Sequence, residues 1–263
     1  MNKYLKSVKL VLKILVLAVL GYLFIGLFFV QNLGQLAVGC FITFFITVPT
    51  IFVFFFEDKF FKKYPKLAPA WKIIKIIYIV ITILFALALG AGQYIAYKKD
   101  KTTKTIDFIN SKKITLDDVI GKNLPPQPDQ KLNDSTIAGI DANNNYIRDD
   151  VELAIFKKYP NSAKVRAAEL QYAQALQLEL TKVYNAETLV VAMKRTDSAY
   201  FCMGKTSKLS LSELNAAEKV IEEQILNTEE RKNQNLDILN KYMAGYALPS
   251  GDGCVINVLL LPN

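Results

Sequence analysis

Twelve residues carry the sharpest chemical signal in this chain: Asp141-Ala-Asn-Asn-Asn-Tyr-Ile-Arg-Asp-Asp-Val-Glu152. Calcium takes six to eight oxygens from a loop that curls around it, supplied at loop positions 1, 3, 5, 7, 9 and 12. Here those positions hold Asp141, Asn143, Asn145, Ile147, Asp149 and Glu152. Ile147 would contribute its backbone carbonyl, and the other five carry oxygen-bearing side chains. Glu152 is long enough for bidentate binding. The expectation is therefore an EF-hand-like half-hand holding a weak, structural Ca2+, with an affinity on the order of 10⁻⁴–10⁻³ M as in extracellular modules.

Two positions depart from that pattern. Position 6 usually holds Gly for the sharp turn, and this chain has Tyr146. A bulky residue at positive φ is strained by on the order of 1 kcal/mol. Position 8 is Arg148 where a β-branched apolar residue is usual. The competing reading is an Asn/Asp-rich turn followed by a helix N-terminus, where acids favour the helix dipole. That reading explains Asn145, Asp149 and Asp150 but not the alternation at 141, 143 and 145 together with Glu152.

Cys202 and Cys254 are the other candidates for chemistry. In an oxidising compartment such a pair can form a disulfide. The bridge would pin the C-terminal tail to the preceding helices and stabilise the fold by roughly 2–4 kcal/mol. The alternative is two unrelated buried thiols. The chain contains no histidine. This excludes Ser-His-Asp and Cys-His catalysis, His-ligated zinc and imidazole switching. Carboxylates such as Glu169, Glu179 and Asp197 do not group into a catalytic constellation.

Helices must position these residues. The pattern predicts helices from Arg148 to Tyr159, from a cap at Asn161 or Ser162 to Tyr184, from Asn185 to Met203, from Ser210-Leu-Ser-Glu213, and from Asn227-Thr-Glu-Glu230 to Gly245. Residues 98–136 read as a stalk and linker, with Pro125, Pro126 and Pro128 marking an extended stretch. Residues 137–263 read as a helical soluble domain with an irregular docked tail.

The first 97 residues differ in kind. Three apolar stretches, about 10–30, 36–56 and 76–96, are long enough for a hydrocarbon core of roughly 30 Å. Lysines flank the first stretch and fill the loop 57–75, while the loop 31–35 has none. Positive-inside asymmetry then puts the N-terminus in the cytoplasm and residues 98–263 outside. The expected class is all-α: a three-helix transmembrane anchor followed by an extracytoplasmic helical bundle, multi-pass in a bacterial inner membrane with the lipid bilayer as partner. Residues 1–97 hold ten lysines and two acids, which accounts for the whole net charge of +8. The remainder is balanced, so no nucleic-acid partner is expected.

The segment Gly139–Glu152 resembles the GxDxNxNGxRDDVE stretch of uncharacterised secreted or membrane-attached bacterial proteins. Their following helical region has an Asn-Thr-x-x-Arg stretch like Asn227–Arg231 and a late cysteine like Cys254. The loop itself is similar to those of dockerins. The resemblance covers roughly residues 125–258 and implies a Gram-negative, periplasm-facing helical domain with no assigned activity. The expected function is a calcium-stabilised interaction domain with a protein partner of unknown identity, within an envelope assembly. The alternatives are a membrane-embedded transport or signal-relay subunit and, behind both, an enzyme.

Overall fold

A computed structural model describes residues 62–207, 209–243 and 253–262. Within the helix that begins at Ala68, the side chains of residues 68, 69, 71, 72, 85, 86 and 89 are outside that description. The described residues form helices and turns with no strands, so the all-α expectation holds. The chain divides into two compact units, Met1–Ile95 and Ala96–Asn263.

The first long helix, α1, runs without a break from Ala68 to Ser111. The predicted span 76–96 lies inside it, and the spans 10–30 and 36–56 lie outside the described residues. The predicted stalk Lys98–Lys104 simply continues the helix. Its apolar residues Ile76, Ile77, Val80, Ile81, Ile83, Leu84 and Leu87 are exposed. Among the described residues, however, no helix is long and apolar enough to cross a membrane. Beyond Tyr97 the apolar stretch of α1 gives way to charge. This corrects the multi-pass, inner-membrane localisation and the transmembrane assignment.

The second unit follows the predicted helix order closely. After α1 come two short helices, α2 (Leu116–Ile120) and α3 (Gln130–Asn133), then α4 (Asp149–Lys158), α5 (Ala163–Lys182), α6 (Ala186–Ser207), α7 (Leu211–Ile225) and α8 (Glu229–Tyr242). A 3-10 turn, Val258–Leu260, ends the tail. The caps are the ones the residue types favour. Ser162 accepts from the Val165 N–H, Ser210 and Glu213 form a reciprocal capping box, and Thr228 accepts from the Arg231 N–H.

The core is organised around α5. The helix α5 is buried nearly all round, with Ala167, Ala168, Leu170, Tyr172, Ala173, Ala175, Leu178 and Leu180 inside. The alanines let α6 approach closely. Gln171, Gln174 and Gln177 are buried as well, and each holds a distant strip of backbone. Gln171 clasps the tail from both ends of its amide, donating to the Gly253 carbonyl (3.0 Å) and accepting from the Val255 N–H (2.9 Å). Gln174 donates to the Asn145 carbonyl and Gln177 to the Ala138 carbonyl, both at 2.7 Å.

The four arginines of the chain do the same work from the other side. Arg148 is fully buried and donates to the Gln224 and Ile225 carbonyls at the end of α7. Its fork is completed by Asp150 (2.6 and 3.1 Å). Arg231, also fully buried, gathers the carbonyls of Asn133, Thr136 and Ile137. Arg166 holds the Val119, Tyr159 and Pro160 carbonyls. Arg195 holds the Ile109 carbonyl in the last turn of α1. Helix C-termini leave carbonyls unpaired, and a buried unpaired carbonyl costs about 1–3 kcal/mol. A planar guanidinium satisfies two or three at once, which an ammonium cannot do with the same geometry.

Gly139 makes room for one of these forks. Its φ is +68°, and a Cβ there would meet Arg148 Cδ at 2.2 Å and Asn133 Oδ1 at 2.7 Å. Arg148→Lys is expected to destabilise the full chain by about 3 kcal/mol in denaturant titration, by leaving buried carbonyls unpaired. Gly139→Ala is expected to act in the same direction. A loss below about 0.5 kcal/mol in both would show that the clamp contributes nothing to stability.

Candidate functional site

The segment Asp141–Glu152 is a closed loop ending in the first turn of α4. It gathers the six residues singled out from sequence onto one stretch, with Ile147, Asp149 and Glu152 buried and Asp141, Asn143 and Asn145 half-buried. The turn at position 6 is made as the spacing demands. Tyr146 takes φ +64° and Asn144 takes φ +59°, both in the left-handed region.

The oxygens, however, face the loop's own backbone. Asp141 Oδ1 accepts from the Asn145 N–H (3.1 Å) and Oδ2 from the Tyr146 N–H (3.0 Å). Asn145 Oδ1 accepts from the Ile147 N–H (2.9 Å), and Asp149 Oδ1 from the Ala142 N–H (3.0 Å). The Asn143 amide nitrogen donates to Glu152 Oε2 (3.0 Å) and to the Asn123 carbonyl. Asp149 Oδ2 and Glu152 Oε1 are buried without a hydrogen-bond partner. Among the described residues, no group of three or more His, Cys, Asp and Glu side chains is placed to hold a metal ion. The calcium-binding assignment is corrected accordingly. The alternating Asp and Asn residues build a chain of side-chain-to-backbone turns.

Burial dominates the electrostatics of the loop. It pushes the carboxyls of Asp141 and Asp149 up from their ordinary range against the pull of backbone N–H donors. Glu152 is pushed up to about 7, first by burial and then by the nearby charges of Asp118 and Asp149, with the Asn143 and Asn145 amides opposing. Asp118 belongs to α2 and was not singled out from sequence. It sits in a capping box with Thr115, and only the folding of α2 against α5 brings it near.

Cys202 and Cys254 are joined in a disulfide with Cα atoms 4.6 Å apart. It links α6 to the tail that Gln171 also clasps. Residues that reasoning from sequence missed are Arg148, Arg166, Arg195 and Arg231. A signal existed: the chain has four arginines against 28 lysines, and none of the four lies before residue 148.

Two hollows border the helices. One of about 120 Å³ is lined by Tyr159, Glu169, Met203 and Thr206 among others. The other, about 370 Å³, is an open trough over Asp150, Ala154, Val220 and Gln224. The first is well below the roughly 300–1,000 Å³ usual for small-molecule sites.

No family model, no curated protein and no solved structure matches the chain.

Raised carboxyls fix the sign of the pH dependence. The proton on Glu152 contributes stability that is fully present below the ordinary value of 4.5 and is lost as pH rises through about 7. Glu179, buried on α5 and also pushed up to about 7, has the same sign. The full chain is expected to melt at a higher temperature at pH 5.5 than at pH 8. Glu152→Gln and Glu179→Gln together should remove most of that difference, and millimolar calcium should leave the melting temperature unchanged. A calcium-induced rise abolished by Asp141→Ala would overturn the metal-free account of the loop.

Proposed function

We propose that residues 96–263 act as a rigid protein-interaction domain in an oxidising compartment. The observation that carries this reading is the way the buried polar groups are used. Arg148, Arg231, Gln171, Gln174 and Gln177 all reach backbone of other segments, so the loop 133–150 and the tail are held as fixed surface. A surface of that kind suits recognition, because little ordering entropy remains to be lost on binding. The resemblance of residues 125–258 to uncharacterised envelope proteins is in keeping with this reading and brings no activity with it.

The disulfide supports the compartment. Bridges persist where thiols are not kept reduced. This one closes a loop of 52 residues, for which the chain-entropy account gives about 4 kcal/mol or less.

Chemical cross-linking in the source cell, followed by capture of the full chain, tests the function. A single protein partner retained in a saturable manner is expected. Its absence, or turnover of a small molecule by the purified chain, would sink the reading. Reduction of the purified chain tests the staple separately. The melting temperature should fall by about 5–10 °C, and Cys202→Ser with Cys254→Ser should melt at the reduced value with or without reductant.

A further inference from the structure

The last turns of α1 carry a feature the loop and the core do not use. Lys101, Thr105 and Phe108 recur at spacings of four and three, which places them on one face, and Lys112 follows directly after the helix end at Ser111. That face meets the end of α5 and the loop at Tyr146. Lys101 Nζ lies 4.4 Å over the Tyr184 ring, and the Tyr184 hydroxyl is 3.4 Å from Thr105 Oγ1. Phe108 packs edge-on against Tyr146 with ring centroids 5.2 Å apart. Lys112 Nζ stands 4.9 Å from the Phe108 centroid and 4.6 Å from that of Tyr146. Lys182 Nζ reaches the same two rings, at 5.3 and 6.0 Å. The helical part of the strip, Lys101 to Phe108, rises about 10 Å at 1.5 Å per residue.

We propose that this strip of Lys101, Lys112 and Lys182 over Phe108, Tyr146 and Tyr184 docks an extended acidic peptide segment of a protein partner. The proposal deepens the interaction-domain reading and rests on it. Three observations carry it. None of the ion pairs described in residues 96–263 includes any of the three lysines, although that part of the chain has as many acids as bases. Among the described residues, no carboxylate is in ion-pair contact with these three ammoniums. Next, the Lys112 and Lys182 ammoniums both lie about 5 Å from one ring centroid, so they are at most about 10 Å apart. Side chains on one face of an extended peptide repeat every ~7 Å, so carboxylates at alternate positions can meet both.

The third observation is Tyr146 itself. Glycine would make the turn at φ +64° without strain, yet the chain places a tyrosine there and holds the peptide before it at both of its polar atoms, the Tyr146 N–H donating to Asp141 Oδ2 and the Asn145 carbonyl accepting from Gln174. A strained bulky residue held this firmly points to a use for its ring. The ring completes the platform under the two ammoniums. Because the ammoniums stand over the rings, the strip offers little room for bases to stack, which favours an acidic peptide over single-stranded nucleic acid.

The test is fluorescence anisotropy with the full chain and a labelled peptide of alternating glutamate and serine. Gln-for-Glu peptide, oligodeoxythymidine and inorganic phosphate serve as comparators. The glutamate peptide is expected to bind, more weakly as salt rises, while the glutamine peptide does not. Lys112→Gln with Lys182→Gln should lower the affinity at least ten-fold with the melting temperature unchanged. Tyr146→Phe should retain binding, and Tyr146→Gly should weaken it without destabilising the fold. Equal binding of both peptides, no effect of the lysine pair, or lysine-dependent binding of the oligonucleotide or phosphate in place of the peptide would overturn the strip. Peptide binding lost while cellular partner capture persists counts against the strip alone. Peptide binding intact while no partner is captured supports the strip and counts against the interaction-domain reading.

Discussion

Carbonyls left open where helices end set the terms for this fold. Several short helices pack on one another in residues 96–263, so their ends are drawn into the interior, where water cannot satisfy them. The chain answers with guanidinium groups. Arg148 takes the end of α7, Arg166 takes the ends of α2 and α4, and Arg195 takes the last turn of α1. Arg231 takes the irregular carbonyls after α3. Burial lowers the basicity of Arg166, Arg195 and Arg231, and the Arg148 and Arg231 forks each have an acid beside them, Asp150 and Asp134. Among the described residues no lysine, the abundant base of this chain, is buried.

The loop 133–150 follows from those clamps. Asn133 turns its side-chain oxygen to the Ile140 N–H, and its carbonyl is held by Arg231. Gly139 lets the Arg148 stem pass. Gln177 and Gln174 then pin the loop on either side of Asp141. With its path fixed from outside, the loop closes on its own Asp and Asn side chains. The same residues that spell a calcium loop therefore spend most of their oxygens on backbone N–H groups. The cost remains visible in the elevated Glu152 and Asp149 carboxyls and their unpartnered oxygens. The strained tyrosine in this loop ties it to the end of α1 through Phe108.

The helices were legible because their signals are local. Ser162, Ser210 and Thr228 cap within three residues of where they stand, and the apolar spacing of α7 points Leu214, Ile221 and Ile225 inward with no help from elsewhere. A Cys202–Cys254 bridge was legible as one of two readings for a different reason, since few other partners existed. The membrane assignment failed on different ground. An apolar stretch is visible in any sequence, but the described part of α1 does not deliver a crossing helix.

What the sequence determined by itself is the all-α class and the order and caps of the helices; for Cys202 and Cys254 it left a bridge and two separate thiols both open. Class, order and caps depend on neighbours a few residues apart. Tertiary structure alone decided what the polar residues do. Arg148 meets carbonyls 76 and 77 residues away, and Arg231 meets one 98 residues away. Whether an aspartate faces an ion or a backbone N–H depends on angstrom-scale direction, which spacing along the chain does not encode. The physical reason is common to all of them: a buried polar group takes whichever partner the packing brings within 3 Å, and packing is a property of the whole fold.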